Sequence, residues 1–283
     1  MRRFTPYLLV LPGGLWLLIF LVVPLVFMAS VSTQEGDVVN GFVQTFDFAN
    51  YGEALVRYRT QFLRSAWYGL AGTVLAIVIA YPVAYWIAFR GGARKPTYLL
   101  LVLLPYVVPF VLRAVSWKFL LADDGIVLSP LKSAGLVPDD FHVLQTTPAV
   151  ICGLVYTYLP FMILPIYVAL ERVNPQVMEA ARDLYASWWE AFTKIVLPLS
   201  LPGVFAGVLM TFVPMTSDYV NATILGGPEN TMIGNIIQTE YLVNNDYPVG
   251  AALSFTLMSI MLIGIFVYAR ALGTENVLEA AAR

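Results

Sequence analysis

This 283-residue chain contains six apolar segments, each of which is long enough to cross a lipid bilayer. A bilayer core is about 30 Å thick and an α-helix rises about 1.5 Å per residue, so each crossing needs roughly 20 mostly apolar residues. The segments cover residues 7–28, 65–89, 98–121, 148–170, 199–220 and 249–271. This pattern predicts an all-α, polytopic membrane protein with six transmembrane helices.

The composition agrees with a chain that lies mostly in lipid. Hydrophobic residues make up 59% and charged residues only 12%, whereas soluble domains contain roughly 25% charged residues. The single cysteine, Cys152, excludes an intrachain disulfide and any thiol-based metal cluster, and its apolar neighbours predict that it is buried. The first segment follows Arg2 and Arg3 as in a secretory signal, but it is longer than such signals and no Ala-x-Ala site follows it. We therefore expect it to be retained as a membrane helix.

The distribution of charge predicts the orientation. Of sixteen lysines and arginines, ten fall in the loops on one side of the predicted membrane and four on the other. The positive-inside rule places the basic side, with both termini, in the cytoplasm. The predicted outer loops carry eleven acidic residues against four basic ones, a net charge of −7. Such a face attracts cations, although acidic loops also serve solubility and partner docking.

The predicted cytoplasmic loop between the fourth and fifth spans, residues 171–198, contains more helix signals than a simple connector needs. Asn174-Pro175 is typical of a helix start, and residues 176–186 are mostly good helix formers. Ser187 followed by Glu190 forms a capping-box pattern that begins a second helix. The first helix mixes small and charged residues, whereas a helix lying in lipid headgroups needs a strong apolar face opposite basic residues. We therefore interpret it as a helix that inserts into a groove of another protein.

The same loop contains Glu179-Ala180-Ala181-Arg182-Asp183-Leu184, followed by Ala186-Ser187, Ala191-Phe192, Ile195 and Leu197-Pro198. This pattern resembles the EAA loop of bacterial type I ABC importer permeases. It implies a cytoplasmic coupling helix that docks on a separate ATPase subunit through Glu179, Ala180, Ala181, Arg182, Asp183, Leu184 and Ala186. One position departs from the family pattern, because Tyr185 stands where the family has glycine. If that glycine stops the helix in a left-handed conformation, a tyrosine there is strained.

Other strings resemble the spermidine/putrescine branch of the same family. They are Tyr81-Pro82-Val83-Ala84-Tyr85, Arg113 with Trp117, Leu225-Gly226-Gly227, Met232-Ile233-Gly234-Asn235 and the run from Asp246 to Ala252. The resemblance implies one permease domain over residues 1–283. Its core covers about 64–272, an N-terminal span and outer loop cover 1–63, and the coupling loop covers 171–198.

The family resemblance also implies the partners. They are a homologous second permease, two ATPase subunits that bind ATP and Mg, and an extracytoplasmic solute-binding protein, all at a bacterial inner membrane. This chain itself would hold no cofactor and bind no nucleic acid. Polyamines are the predicted cargo; ferric iron, a sugar or an oxyanion remain alternatives, as does a secondary transporter or channel that works without ATP.

Catalytic motifs are missing from the sequence. No Gly-Lys pair occurs, so the phosphate-binding loop of ATPases is absent, and neither H-E-x-x-H nor G-x-S-x-G is present. The only histidine, His142, falls in a predicted outer loop, where we interpret it as solvated. The sequence therefore predicts a transport subunit with no enzymatic or metal site of its own.

Asp218 is the acidic candidate for a cargo contact because ionisable groups at membrane depth are costly and mark functional sites. It ends an apolar span that contains Pro214, which loosens the helix. A polyamine ammonium would pair with Asp218 and lie against aromatic rings, for which the candidates are Tyr219, Tyr156, Tyr158 and Trp117. Alternatively, Asp218 lies at the outer surface and the rings form an interfacial belt.

Two cations lie in the third segment. Arg113 and Lys118 either extend their charges toward water at the membrane surface or pair with Asp218, which would weaken a cation site.

Overall fold

The computed structural model describes the backbone of residues 5–183 and 185–271, and the side chains of residues 11–174, 176–181, 183 and 185–270. Most of these residues form α-helices, which are α1 Thr5–Leu17, α2 Val23–Val31, α3 Ala49–Arg57, α4 Arg59–Arg90, α5 Lys95–Leu103, α6 Phe110–Leu121, α7 Leu128–Ser133, α8 Thr147–Glu171, α9 Pro175–Asp183, α10 Trp188–Ala191, α11 Leu197–Ser217, α12 Val220–Leu225, α13 Ile233–Leu242 and α14 Tyr247–Ala271. Shorter turns connect some of them: π-helical Leu18–Val22 and Phe192–Val196, and 3-10 turns Gly92–Arg94, Leu104–Val107 and Pro228–Asn230.

Five helical stretches are long and apolar enough to cross a membrane, namely Leu11–Val31, Arg59–Arg90, Thr147–Glu171, Trp188–Ser217 and Tyr247–Arg270. The remaining predicted span is not one straight helix. Gly92–Val107 and Phe110–Leu121 pass the same test only together, and they meet at an angle of 89°. Pro109 explains the break, since proline lacks an amide proton and disfavours helical geometry in the residue before it, Val108, which is extended here.

A small β-hairpin makes the purely α-helical prediction incomplete. Strands β1 Gln34–Asp37 and β2 Gly41–Gln44 pair antiparallel, with Gln34 opposite Gln44. The Asp37 carboxylate accepts hydrogen bonds from the amides of Val39 and Asn40, at 2.8 and 2.7 Å, and fixes the turn. The three-residue loop 38–40 leads into Gly41, whose φ of 84° lies in the region that favours glycine.

One compact unit combines residues 1–60 with residues 236–264. Its buried residues include Ala54, Tyr58, Glu240 and Ala251. The Tyr58 hydroxyl donates a hydrogen bond to Glu240 Oε1, and Asn244 Nδ2 donates to Glu240 Oε2 at 2.9 Å. Burial, together with this bond to a carboxylate, raises the pKa of Tyr58 to about 12. The pair therefore joins the start of α4 to α13 outside the membrane-spanning stretches.

Among the described residues, the second unit comprises residues 61–235 together with residues 265–271. Its core forms where α8 packs along α11, and it includes the fully buried Leu154, Met162, Ile166 and Met215. Small residues allow this close approach. A Cβ on Gly203 would lie 2.5 Å from the carbonyl oxygen of Pro165, so a larger residue there would force the helices apart. The residues described next all belong to this unit.

Candidate functional site

The Asp218 carboxylate lies buried where α11 ends, with 6% of the residue exposed. Its Oδ1 atom accepts a hydrogen bond from the Asn221 amide at 2.8 Å. Its Oδ2 atom accepts bonds from Asn221 Nδ2 and from the Tyr158 hydroxyl, each at 2.9 Å. Asp218 thus caps α12 and at the same time ties that helix to α8. The result is a buried carboxylate held by donors from its own chain.

This cluster extends toward the break between α5 and α6. Asn221 Nδ2 also donates to Thr157 Oγ1 at 3.3 Å, and the Tyr106 hydroxyl donates to the Thr157 carbonyl oxygen at 2.5 Å. The Arg113 guanidinium lies 4.4 Å from the centre of the Tyr106 ring, and the residue is only 7% exposed. Within the described residues, its Nε and Nη1 atoms are buried without a hydrogen-bond partner. The aromatic face is therefore the main contact that we identify for this charge.

The predicted cargo residues divide into separate groups. Tyr158 contacts Asp218 directly, whereas Trp117 and Tyr156 form an edge-to-face pair with ring centres 5.2 Å apart. Tyr219 is 43% exposed, and what it contributes to the interior is its carbonyl oxygen, which accepts a bond from Asn235 Nδ2. The structure thus joins one predicted aromatic to the carboxylate and leaves the other three apart from it.

The charged residues differ in burial. Asp218 is buried against protein groups, and its depth in the membrane stays a prediction. Arg113 is buried rather than extended toward water, while Lys118 is exposed. Among the described residues, no ion pair joins either cation to Asp218. His142 is exposed, as predicted, and its Nδ1 atom lies 2.6 Å from Asp123 Oδ2.

Asn230 is a central residue that sequence reasoning missed. Its Oδ1 atom accepts bonds from the Tyr68 hydroxyl at 2.6 Å and from Thr147 Oγ1 at 3.1 Å. Its Nδ2 atom donates to the carbonyl oxygens of Gln145 and Gly226, at 2.8 and 2.7 Å. One amide thus joins α4, the start of α8 and the turn after α12. The adjacent Leu225-Gly226-Gly227 string was a signal for this turn, since Gly227 has a φ of 62°.

The predicted coupling segment forms the short helix α9, which follows α8 after a three-residue turn. Asn174 Oδ1 accepts a hydrogen bond from the Gln176 amide at 3.0 Å, as expected of a residue before a helix start. Glu179, Ala180 and Asp183 are exposed, whereas Ala181 is only 7% exposed. Leu184 and the Arg182 side chain lie outside the described residues. The helix therefore turns Ala181 inward and leaves Ala180 and its described charges exposed.

Tyr185 adopts the left-handed conformation for which the family pattern has glycine. Its φ is 58°, and the Ala186 amide donates to the Ala181 carbonyl oxygen at 3.0 Å, which is the bond of a Schellman helix end. The tyrosine is 98% exposed, so no packing of its ring offsets the strain. The capping box that follows is confirmed: the Glu190 amide donates to Ser187 Oγ at 3.2 Å, and the Ser187 amide donates to Glu190 Oε2 at 3.0 Å. Local sequence chemistry thus fixes the turn between α9 and α10.

Comparison with known proteins identifies related chains over almost the whole length. A family model described as "Binding-protein-dependent transport system inner membrane component" matches residues 3–272. The spermidine/putrescine transport system permease protein PotB of Haemophilus influenzae is 34% identical over 260 residues, which is 90% of each chain. PotB of Escherichia coli is 33% identical over 257 residues, covering 90% of this chain and 94% of the relative.

Solved structures agree on the fold. A bacterial ABC transporter involved in the import of the acidic polysaccharide alginate contains a chain that matches with a TM-score of 0.72 and 19% identity, covering 95% of each chain. The MetNI methionine ABC transporter, in an inward-facing conformation, contains a chain that matches with a TM-score of 0.55 and 17% identity over 81% of this chain and 97% of that one. The chain therefore belongs to the family of inner-membrane components of binding-protein-dependent transport systems, and it is a permease subunit of an ABC importer.

Proposed function

We propose that this chain forms one half of a polyamine import pathway and that it works with a homologous second permease, two ATPase subunits and an external solute-binding protein. The cargo proposal rests on the PotB relatives, which are named for spermidine and putrescine transport and are 33–34% identical over 90% of this chain. The partner proposal rests on the family and on one related alginate importer that was solved with its periplasmic protein. ATP and Mg would be bound by the ATPase subunits and not by this chain.

The observation that carries the mechanism is the exposed helix α9 between two membrane helices. Ala181 packs inward while Glu179, Ala180 and Asp183 are exposed, so charged and small side chains are available to a partner protein. The stretch Trp188–Ser217, which is long and apolar enough to cross a membrane, begins just after the turn at Tyr185. When the ATPase subunits close on ATP, they would pull α9 and move α11 with it. Opening toward the outside would follow, and hydrolysis would reset the inward-open state.

We propose six membrane crossings with both termini in the cytoplasm, counting the bent pair of α5 and α6 as one crossing. The support is the ten-to-four division of basic residues between alternate loops. With this orientation α9 lies in the cytoplasm, where an ATPase has access to nucleotide.

We propose Asp218 as the acidic element of the cargo pathway. A polyamine ammonium would replace the Tyr158 hydroxyl at Oδ2, because this bond comes from another helix, whereas Asn221 holds both carboxylate oxygens locally. Since Asp218 is buried in this structure, cargo would reach it only after the surrounding helices move. Tyr158, and after that movement Tyr156, Tyr219 and Trp117, would supply ring faces for the cation.

The complete importer reconstituted in liposomes tests this function. We expect uptake of radiolabelled spermidine that requires external binding protein and ATP on the ATPase side. Replacement Glu179→Lys should reduce uptake at least about tenfold while membrane insertion persists, because it reverses a charge at the docking surface. Glu53→Lys is the matched control, since Glu53 is an exposed acid on α3. Uptake that survives removal of the ATPase subunits, driven by an ion gradient, would favour the secondary-transporter alternative.

A competition series tests the cargo class. Spermidine and putrescine should compete for uptake, while ferric iron, maltose and sulfate should not. Preferential transport of one of the latter would keep the ATP-driven mechanism and overturn the polyamine assignment.

A further inference from the structure

An aromatic groove of about 670 Å³ opens beside the coupling helix. Its walls come from the last turns of α4, from α9, and from α10 with the π-helical turn after it. The lining residues are Tyr81, Pro82, Tyr85, Trp86, Phe89, Arg90, Met178, Glu179, Trp188, Trp189 and Phe192. Seven of them are aromatic, which is far more than the docking of a short helix requires. We refer to this feature as the aromatic groove.

The aromatic rings are packed into a fixed wall. Trp188 stacks on Phe192 with ring centres 5.5 Å apart, and the Tyr85 and Phe192 rings meet edge to face at 6.1 Å. Trp188 and Trp189 nevertheless remain 53% and 63% exposed. The groove therefore presents apolar ring faces whose positions are fixed by packing of the rings on one another.

One acid and one base line the same groove. Glu179 is contributed by α9, and Arg90 ends α4. Among the described residues neither forms an ion pair, whereas the neighbouring acids Glu171 and Glu190 pair with Lys95 and Lys194 at 3.4 and 3.2 Å. The groove thus combines ring faces with a carboxylate and a guanidinium, and these two charges cancel.

The position of the groove selects among ligands. It lies between the end of the stretch Arg59–Arg90 and the start of the stretch Trp188–Ser217, both of which are long and apolar enough to cross a membrane. Aromatic residues are enriched where such stretches meet lipid headgroups. A polyamine carries only positive charge and would meet repulsion from Arg90 as well as attraction from Glu179. A headgroup with both a phosphate and an ammonium matches both side chains, since guanidinium binds phosphate and ring faces bind ammonium.

We propose that the aromatic groove binds the zwitterionic headgroup of a membrane phospholipid, with its phosphate at Arg90 and its ammonium on the tryptophan rings. Because Met178 and Glu179 belong to α9, the bound lipid ties the coupling helix to α4 and α10. The inference goes beyond the cargo and mechanism proposed above and relies on them only for the leaflet concerned.

Native mass spectrometry of the complete importer, with added phosphatidylethanolamine, tests the proposal. The unmodified complex should retain a headgroup lipid that the Arg90→Gln complex binds about tenfold more weakly, because a charge-assisted contact is lost. Arg94→Gln is the matched control, since Arg94 is an exposed arginine four residues away that does not line the groove. Trp188→Leu should weaken retention as well while keeping the groove apolar, and Trp67→Leu should not.

Several outcomes would overturn the proposal. Equal retention by the Arg90→Gln and Arg94→Gln complexes would mean that the groove holds no headgroup or is covered by a protein subunit. Displacement of the lipid by spermidine would identify an ammonium site for free polyamine. Equal retention of phosphatidylglycerol would identify a simple anion site at Arg90. Each of these results is independent of whether spermidine is transported, so failure here leaves the proposed function open to its own test.

Discussion

The buried cluster around Asp218 and the exposed helix α9 handle polar groups in opposite ways. Asp218 accepts three hydrogen bonds from its own chain, and Asn230 uses both amide atoms in four bonds. On α9, Glu179 and Asp183 are exposed, and among the described residues neither forms an ion pair. Polar groups whose hydrogen bonds are satisfied internally stabilise the fold, or they bind a ligand only after a conformational change. Polar groups left exposed on a short helix are available to a partner.

The largest effect should come from removing the buried charge. Asp218→Asn keeps the size of the side chain but removes the negative charge, so spermidine uptake should fall at least about tenfold if cargo meets this carboxylate. Asp140→Asn, an exposed outer-loop acid, should leave uptake nearly unchanged. Initial uptake rates in proteoliposomes provide the measurement. If both variants transport alike, Asp218 belongs to the fold only and the cargo proposal for it fails.

Asn230→Ala should act on stability. It leaves the carbonyl oxygens of Gln145 and Gly226 without their donor, whereas the Tyr68 hydroxyl keeps its bond to Thr147 Oγ1. Buried unsatisfied groups cost about 1–3 kcal/mol. Thermal unfolding of the purified complex should show a clearly lower midpoint. Asn40→Ala removes only an exposed bond to Asp37 and should change the midpoint little. Equal midpoints would contradict the central role given to Asn230.

Tyr58→Phe extends the comparison to the first compact unit, which does not include the core of α8 and α11. Loss of the hydroxyl leaves Glu240 with one fewer donor, so stability should fall by about 1–2 kcal/mol. The pKa of Tyr58 rises from its ordinary value near 10 to about 12 in the folded chain, so its contribution is complete below pH 10 and declines as the pH rises toward 12. The difference in unfolding midpoint between the two proteins should therefore stay constant from pH 7 to 9. A difference that shrinks within that window would mean that the pKa of Tyr58 is not raised in the folded chain. No difference at any pH would mean that another group holds Glu240.

The smallest effect should be a gain in the stability of the exposed helix α9. Tyr185→Gly relieves a left-handed residue that has a side chain, so the end of α9 should be stabilised by about 1 kcal/mol. Hydrogen exchange at the Ala186 amide reports this change, because that amide forms the helix-ending bond. The matched control is Gln145→Gly, since Gln145 is another left-handed residue, with a φ of 63°. Tyr241→Gly is not a suitable control, since the Tyr241 ring packs on Tyr247. Faster exchange in Tyr185→Gly would mean that the tyrosine is favourable where it stands.

Local chemistry explains which features could be predicted from the sequence. Asn174, Ser187 and Glu190 act on amides within three residues of themselves, so the starts of α9 and α10 followed from spacing alone. The strain at Tyr185 followed from the family resemblance, since the family pattern has glycine at this helix end. The long apolar stretches could be predicted because bilayer thickness sets their length.

Features that depend on distant contacts could not be predicted. The partners of Asn230 lie up to 162 residues away, and no sequence spacing indicates such a meeting. Arg113 was expected to reach water or Asp218, but it lies on the Tyr106 ring, since the bend of 89° changes what its helix faces. Cys152, predicted to be buried from its apolar neighbours, is exposed on α8, because in a membrane protein an apolar neighbourhood does not distinguish the core from the lipid-facing side.

The break between α5 and α6 limits what can surround this part of the chain. Around Val108 the backbone leaves the helix, and the adjacent Val107 is 81% exposed. Hydrocarbon offers no partner for peptide groups released from a helix, so irregular backbone at that depth occurs only against protein or water. If α5 and α6 form one crossing, as proposed, acyl chains are excluded from this flank of the subunit. The break would then face either water or a neighbouring polypeptide.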